Sequence, residues 1–458
     1  MERCETRKLS GWGRCPVEEC HVYRPEKRRA LSALIGGDGE ATFIPRGLGR
    51  SYGDTSLNAG GGVLDYTRLN RMLAFDPETG VLECEAGVSL AEILEAFVPR
   101  GFFPSVLPGT KFVTVGGAIA NDIHGKNHHR DGAFSQFVER LTLLTPEGEE
   151  LVCSRDDNPD VFWATVGGIG LTGLIRTARI KLQRIESAYV TVDYLRAKNI
   201  DEALAAMAES DENYQYSVAW VDCLAKGANL GRSILMRGNH APAGAVARKD
   251  PLRIKPKREK TVPIDFPAFA LNRLSVGAFN TLFYGFHKTV SGKLIDYDQY
   301  FCPLDSIHDW NRMYGKRGFT QYQVTFPLDA RQGLVELLEK ISASGRASFL
   351  AVLKRLGPQG PGLLSYPCDG YTITLDLPMR KDLIPFLHGL DERVIEHGGR
   401  LYCAKDVCTL PETFAAMYPR LEEFQEVKAR LDPNHLFTSS MARRLRIVPA
   451  QIGGMHAK

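Results

Sequence analysis

Residues 108–129 constrain the rest of this chain more than any other stretch. They read Pro-Gly-Thr-Lys-Phe-Val-Thr-Val-Gly-Gly-Ala-Ile-Ala-Asn-Asp-Ile-His-Gly-Lys-Asn-His-His. A Pro-Gly turn and a β-branched run lead to Gly116-Gly117, where a backbone without side chains can approach a ligand and aim amides at an anion. Asp122, His124, Lys126, His128 and His129 follow within a few residues. A structural loop needs the glycines but has no use for so many titratable groups. The pattern predicts a cofactor diphosphate on the glycines and chemistry near the histidine. No metal is expected, because Gly125 follows His124 and no third-ligand cluster accompanies the histidines.

Two more glycine segments flank this one. Phe43-Ile-Pro-Arg-Gly-Leu-Gly-Arg-Ser-Tyr-Gly-Asp54 runs from a strand-like start into glycines beside Arg46, Arg50 and Ser51, which suit a phosphate-bearing ligand. Taken alone, it fits a turn-rich hairpin equally well. Thr165–Ile175 contains Gly168, Gly170 and Gly173 in GxGxxG spacing, with Asp193 at the ~20-residue offset of an acidic ribose ligand. The dinucleotide-crevice reading is rejected here, since a short helix precedes the glycines and strand-like sequence follows them.

The 458 residues allow two or three domains, and 44% hydrophobic with 24% charged residues is a globular composition. A net charge of +3 gives no general argument for nucleic acid. The ten cysteines form no CxxC pair and read as reduced core residues. Neither a cleavable signal nor a membrane span is expected from the charged start and the short apolar runs.

Elsewhere the chain reads as strands with amphipathic helices, an α+β class. Ser89-Leu-Ala-Glu92 is a capping box for a helix over Leu90–Val98. On the strand Phe319–Phe326, Gln321 and Gln323 share one face, either a polar cavity wall or a solvated surface. Lys354 interrupts the apolar strand Phe349–Leu356, and Thr372, Thr374 and Asp376 share a face of Tyr371–Leu377. Trp220 lies on a strand over Tyr214–Asp222. A helix is expected over Pro411–Asp432. Arg248–Lys260 holds seven basic and two acidic residues, and Leu271, Leu274, Ala278 and Leu282 follow at helical spacing. This fits an anionic membrane surface, and it also fits a solvated loop before a core helix.

Arg46–Asp54, the 108–129 stretch, Gly167–Gly173 and Asp432–Phe437 together resemble the vanillyl-alcohol-oxidase type of FAD-binding fold. Within it, Ala118–His129, Phe162–Gly168, Arg400–Asp406, Met441–Leu445 and Leu9–Arg14 are similar to the FAD-dependent oxidase subunits of decaprenylphosphoryl-β-D-ribose 2′-epimerases. The resemblance implies a PCMH-type FAD-binding domain over 1–185, a substrate domain of antiparallel sheet with helices over 186–400, and a segment 401–458 completing the FAD domain. It implies oxidation of the 2′-hydroxyl of a polyprenylphosphoryl ribofuranose, with an NAD(P)H-dependent short-chain reductase as partner; the basic and aromatic run 248–286 adds the expectation of peripheral contact with either face of the inner membrane.

The cofactor contacts it implies are Arg46, Gly47, Leu48, Gly49, Arg50, Ser51, Tyr52, Gly109, Thr114, Gly116, Gly117, Asn121, Ile123, His124, Gly170, Ile175 and Tyr402. Trp220, Gln321, Gln323, Lys354, Thr372, Thr374 and Lys405 would meet substrate, with Tyr52 beside them. Lys405 and His124 are both open as proton acceptor. Relatives that tether FAD use a histidine in the first glycine motif, where this chain has Arg50-Ser-Tyr-Gly, so FAD is expected to be dissociable. Family cysteines are replaced by Thr374 and Asn121. Two other readings remain: a soluble sugar-alcohol or aldonolactone oxidase, and a flavin-binding assembly protein without turnover.

Overall fold

The computed structural model describes residues 4–36, 41–255, 257–267 and 269–448. Two sheets form the amino-terminal half. The first runs in the order Cys4–Ser10, Val17–Tyr23, Gly62–Asp65, Phe43–Arg46, and the last pair is parallel with Phe43 opposite Gly62. The second runs Met72–Asp76, Val81–Glu85, Leu174–Arg184, Val138–Leu144, Glu150–Ser154, with Phe102–Pro104 also paired to the long strand. The helix Leu90–Phe97 packs its apolar stripe, Leu90, Ile93, Leu94 and Phe97, into this core. Its capping box forms: Glu92 N–H donates to Ser89 Oγ at 3.1 Å, and Ser89 N–H to Glu92 Oε2 at 2.7 Å. After the glycines 167–173 the chain enters the strand Leu174–Arg184 directly and then Tyr189–Ala197. No helix opens on those glycines, which is the physical reason a dinucleotide crevice is absent there.

The other half is an eight-stranded antiparallel sheet. Its order is Val290–Asp296, Tyr189–Ala197, Ser233–His240, Tyr216–Val221, Ala351–Leu356, Gly370–Pro378, Phe319–Pro327, Arg400–Leu401. The helices Arg331–Ser344 and Leu383–Glu396 cover one face, and Leu334, Leu337, Leu338 and Ile341 are fully buried against Tyr322, Val324 and Phe326. With period two, Gln321 and Gln323 must face the other way. They are only 7% and 3% exposed, so their face is an interior wall and not a solvated surface.

Two expectations are corrected, and one open choice is resolved. The helix expected over Pro411–Asp432 is two helices, Pro411–Met417 and Leu421–Leu431. Pro419 lies between them, lacking an amide and disfavouring helical geometry at Tyr418. Gly398–Asp406 reads from sequence as a strand ending in Tyr402 and Lys405, but the strand stops at Leu401 and becomes a 3₁₀ turn, Cys403–Lys405. In the helix Arg273–Phe286 the core stripe is Val276, Asn280 and Tyr284, while Leu274, Ala278 and Leu282 point outward.

The carboxy-terminal segment returns to the first sheet. Phe43 N–H donates to Leu436 O at 2.7 Å, and Thr438 N–H to Phe43 O at 3.0 Å. Behind this bridge the buried Lys428 is paired with the buried Asp432 and donates to Phe437 O at 2.9 Å. Asp432 also accepts the Leu436 and Phe437 amides, each at 2.8 Å. Removing one partner leaves a buried charge uncompensated, at a cost of about 3–5 kcal/mol. Lys428→Met is therefore expected to lower the first thermal unfolding transition by several degrees. An unchanged melt would contradict this role.

Candidate active site

The three glycine segments and the polar face of the large sheet enclose one cavity of ≈ 990 Å³. The segments meet through their glycines. A Cβ on Gly47 would lie 2.2 Å from Thr114 Oγ1, and one on Gly170, at φ +82°, would lie 3.2 Å from Pro45 Cγ. Only glycine lets these turns close on one another. Thr114 caps the short helix Val115–Ala120, its hydroxyl accepting from the Gly117 amide at 3.3 Å.

The cavity is lined by Arg46, Gly47, Leu48, Gly49, Arg50, Ser51, Tyr52, Gly109, Thr114, Gly116, Gly117, Asn121, Ile123, His124, Gly170, Ile175 and Tyr402. Trp220, Gln321, Gln323, Lys354, Thr374 and Lys405 line it as well. Thr372 does not: it is fully buried behind the wall, sharing a hydrogen bond with Tyr366 (2.7 Å) and accepting from Gln323 (3.3 Å). Arg46 is partly committed within the protein. It donates to Ser10 O at 2.6 Å and Ser56 Oγ at 3.0 Å, holding its loop to the first strand. The Arg50 guanidinium lies 4.0 Å over the Trp12 ring, and its Nε has no partner.

The histidines diverge. His128 Nδ1 accepts the Gly357 amide at 3.0 Å, and His129 Nε2 lies 3.0 Å from Tyr214 O. His124 alone faces the cavity, beside Tyr402 and Tyr366, which stack on each other at 4.6 Å. The Gln323 amide reaches His124 Nε2 at 3.0 Å, so the donor amide makes Nε2 an acceptor and leaves the proton on Nδ1. Burial first, then Lys354, His128 and Lys405, hold His124 well below the ordinary histidine value. It is a neutral ring whose basic nitrogen is engaged.

Three lysines share the cavity. Burial pushes Lys126 and Lys405 down to about 8, partly offset by Cys302 and Asp305 for the first and by Asp376 for the second. Lys354 falls to about 7 through burial and then through the charges of Lys126 and Lys405. The Lys405 ammonium lies 4.0 Å over the Tyr52 ring. Tyr52 is held far above its ordinary value by burial and remains a hydroxyl donor. Gln321 donates to Asp376 at 2.6 Å, and burial raises that carboxyl to about 7. Cations held this far below their normal range call for an anionic ligand.

Lys126, Tyr366 and Asp376 escaped selection from sequence, although Lys126 stands in the opening stretch and Asp376 on the expected face. Tyr366 sits in a loop where no periodicity marks it. Thr374, 6% exposed, places a hydroxyl at a cavity position where a family cysteine would offer a thiol.

Comparison with known proteins agrees with this geometry. Residues 21–154 match the FAD binding domain model, and 376–445 match the D-arabinono-1,4-lactone oxidase model. The fold and site are those of an FAD-dependent oxidoreductase of the vanillyl-alcohol-oxidase type. The decaprenylphosphoryl-β-D-ribose oxidase of Mycolicibacterium smegmatis is 40% identical over 97% of this chain and 98% of its own. An uncharacterized protein of Streptomyces coelicolor is 35% identical over 78% of this chain and its whole length. Cytokinin dehydrogenase 2 of Arabidopsis thaliana is 29% identical over 35% of this chain and 33% of its own. The chain belongs to the decaprenylphosphoryl-β-D-ribose oxidase family.

FAD, the cofactor, fits the residues present. Asn121 Oδ1 is a buried acceptor without a donor, and His124 Nδ1 a buried donor without an acceptor. An isoalloxazine edge carries both kinds of group. No histidine stands among residues 46–54 to tether it. Acid precipitation should leave all the yellow colour in the supernatant, and colour in the pellet would contradict dissociable binding.

Proposed function

We propose that the protein oxidises the 2′-hydroxyl of a polyprenylphosphoryl-β-D-ribofuranose to the 2′-keto sugar. This is the first half of an epimerisation that yields an arabinose donor for cell-wall arabinan. The observation that carries this reading is a single cavity lined by three depressed lysines, a glutamine wall and the rings of Trp220, Phe279 and Phe283. A lipid-linked sugar phosphate has the matching groups. The proposed domain limits remain 1–185, 186–400 and 401–458.

FAD, when bound, supplies the acceptor for the hydride that leaves the carbinol carbon. The chain must then hold the sugar and take the hydroxyl proton. Lys405 is assigned that proton, because its neutral form is populated near pH 8 whereas His124 already accepts from Gln323. Tyr52 positions Lys405 through its ring, Gln321 and Gln323 orient the sugar, and Lys354 neutralises the phosphodiester. His124, with Nδ1–H free, serves as a hydrogen-bond donor.

The match of 376–445 to a lactone-oxidase model favours a second reading, a free sugar-alcohol or aldonolactone substrate. That reading leaves the lysine charge and the rings of Trp220, Phe279 and Phe283 without a purpose. Replacing Lys405 by Ala should slow anaerobic flavin reduction by about 10²–10⁴-fold while FAD stays bound. Since the base must be neutral, the wild-type rate should rise with pH through about 8 and then level. A Lys405→Ala variant reducing at the wild-type rate would sink the assignment.

Inverting the carbon requires a second hydride from the opposite face, the task assigned to an NAD(P)H-dependent short-chain reductase. We assign the chain a peripheral position on the inner membrane. No helix among the described residues is long and apolar enough to cross one. The support is the helix Arg273–Phe286, where Leu274, Leu282 and Phe286 are 84%, 58% and 79% exposed. Arg273, Lys288 and Lys293 are exposed beside it. The basic loop contributes less, since Lys257 pairs with Asp296 at 2.6 Å and Arg253 with Asp250 at 3.1 Å. The protein should pellet with phosphatidylglycerol vesicles, and Leu282→Gln/Phe286→Gln should stay in solution. Equal pelleting of the variant would refute the helix as the contact.

A further inference from the structure

We propose that the cavity has an isoprenoid arm, formed by the inner edge of the helix Arg273–Phe286 and the ring of Trp220, that takes the first units of the prenyl chain. The arm leads the chain sideways to the exposed apolar face of the same helix. This inference rests on the lipid-linked substrate proposed above and names where its tail goes.

Three adjacent stripes of the helix do different work. Val276, Asn280 and Tyr284 face the core, with Asn280 donating to Asp222 at 2.8 Å and Tyr284 donating to Ala197 O at 3.1 Å. One step round, Ser275, Phe279, Phe283 and His287 line the cavity. A further step round, Leu274, Ala278, Leu282 and Phe286 are exposed. At about 100° per residue, the exposed stripe runs into the cavity stripe, so apolar surface continues from Ala278, Leu282 and Phe286 onto Phe279 and Phe283, between Ser275 and His287.

Phe279 marks that lip. It lines the cavity yet is 42% exposed. It stacks on Phe283 at 5.6 Å, and Phe283 packs on Trp220 at 4.7 Å. The Trp220 N–H is already spent on Phe349 O at 3.0 Å, so its ring presents carbon to the cavity. Val218 and Met236, on neighbouring strands, complete the lining. Gln321 and Gln323 stand three strands away from Trp220, on Phe319–Pro327, and Lys354 stands on a strand between, so the polar groups lie to one side of these rings. The cavity is therefore amphipathic in the same sense as a prenyl phosphosugar. The helix has 14 residues, about 21 Å, so a decaprenyl chain must continue beyond the lip, where the outward face offers it lipid.

The test compares geranyl and decaprenyl phosphoryl-ribose in the same detergent micelles, following anaerobic flavin bleaching by the FAD-loaded protein. The wild type should favour the decaprenyl substrate by about ten-fold or more in kcat/KM, as expected for several added buried methylenes. Phe279→Ser/Phe283→Ser should bring the ratio to near one, and Phe279→Leu/Phe283→Leu should keep it. A wild-type ratio near one, or a ratio retained in the serine variant, overturns the arm. Bleaching by neither substrate overturns the substrate reading on which the arm rests, a distinct result from bleaching by both at equal rates.

Discussion

The site depends on the return of the chain's end to its beginning. Arg444 holds Asp54 with hydrogen bonds of 2.9 and 2.8 Å and Asp406 with one of 2.8 Å, joining the first glycine segment to the turn that carries Lys405. The backbone repeats the link, as Tyr52 N–H donates to Ala404 O at 2.9 Å. Without this clamp Lys405 would not lie over Tyr52, nor would the Tyr402 hydroxyl reach Asn121 O at 3.1 Å. Residues about 350 positions apart are held to hydrogen-bond precision by one guanidinium and two carboxylates. Such a pairing is weak evidence for net stability but strong for geometry, because either carboxylate alone would be a buried, unpaired charge.

The second constraint is electrostatic. A cavity holding Lys126, Lys354 and Lys405 is costly when empty, since each ammonium is partly stripped of water and Lys354 is repelled by the other two. Asp376 offsets part of this for Lys405, and its own carboxyl is poised near 7. An anionic ligand beside Lys354 relieves that repulsion and restores the charge of Lys354, while Lys405 keeps the neutral form that takes the hydroxyl proton. Binding of the phosphosugar and tuning of the proton acceptor thus draw on the same set of charges. This coupling is what a site for a small neutral polyol would lack.

Much of this was legible in the sequence because it rests on local chemistry. Glycine turns, the Ser89 capping box and the period-two face of Gln321 and Gln323 are written in adjacent residues. The resemblance to a flavoprotein family supplied Lys405 and Tyr402, which no local rule marks. What the sequence concealed was decided by tertiary contact. The outward turn of Leu274 and Leu282 follows from Asn280 finding Asp222, and a polar residue on the buried stripe defeats any apolar count. Thr372 and Thr374 have the same spacing rule, yet Tyr366 covers the first and leaves the second open. Arg46 reads as a phosphate ligand, yet part of its guanidinium is spent on Ser10 and Ser56, which no local rule foretells.

The account stands on one substrate class meeting one site. Anaerobic mixing of the FAD-loaded protein with decaprenylphosphoryl-ribose tests it most directly, with free ribitol and gulonolactone as parallel additions. The account predicts rapid bleaching of the flavin band with one equivalent of 2′-keto sugar formed, and little change with the free polyol or lactone. Rapid bleaching by ribitol or gulonolactone, or an unreduced flavin with the lipid-linked sugar bound, would contradict it.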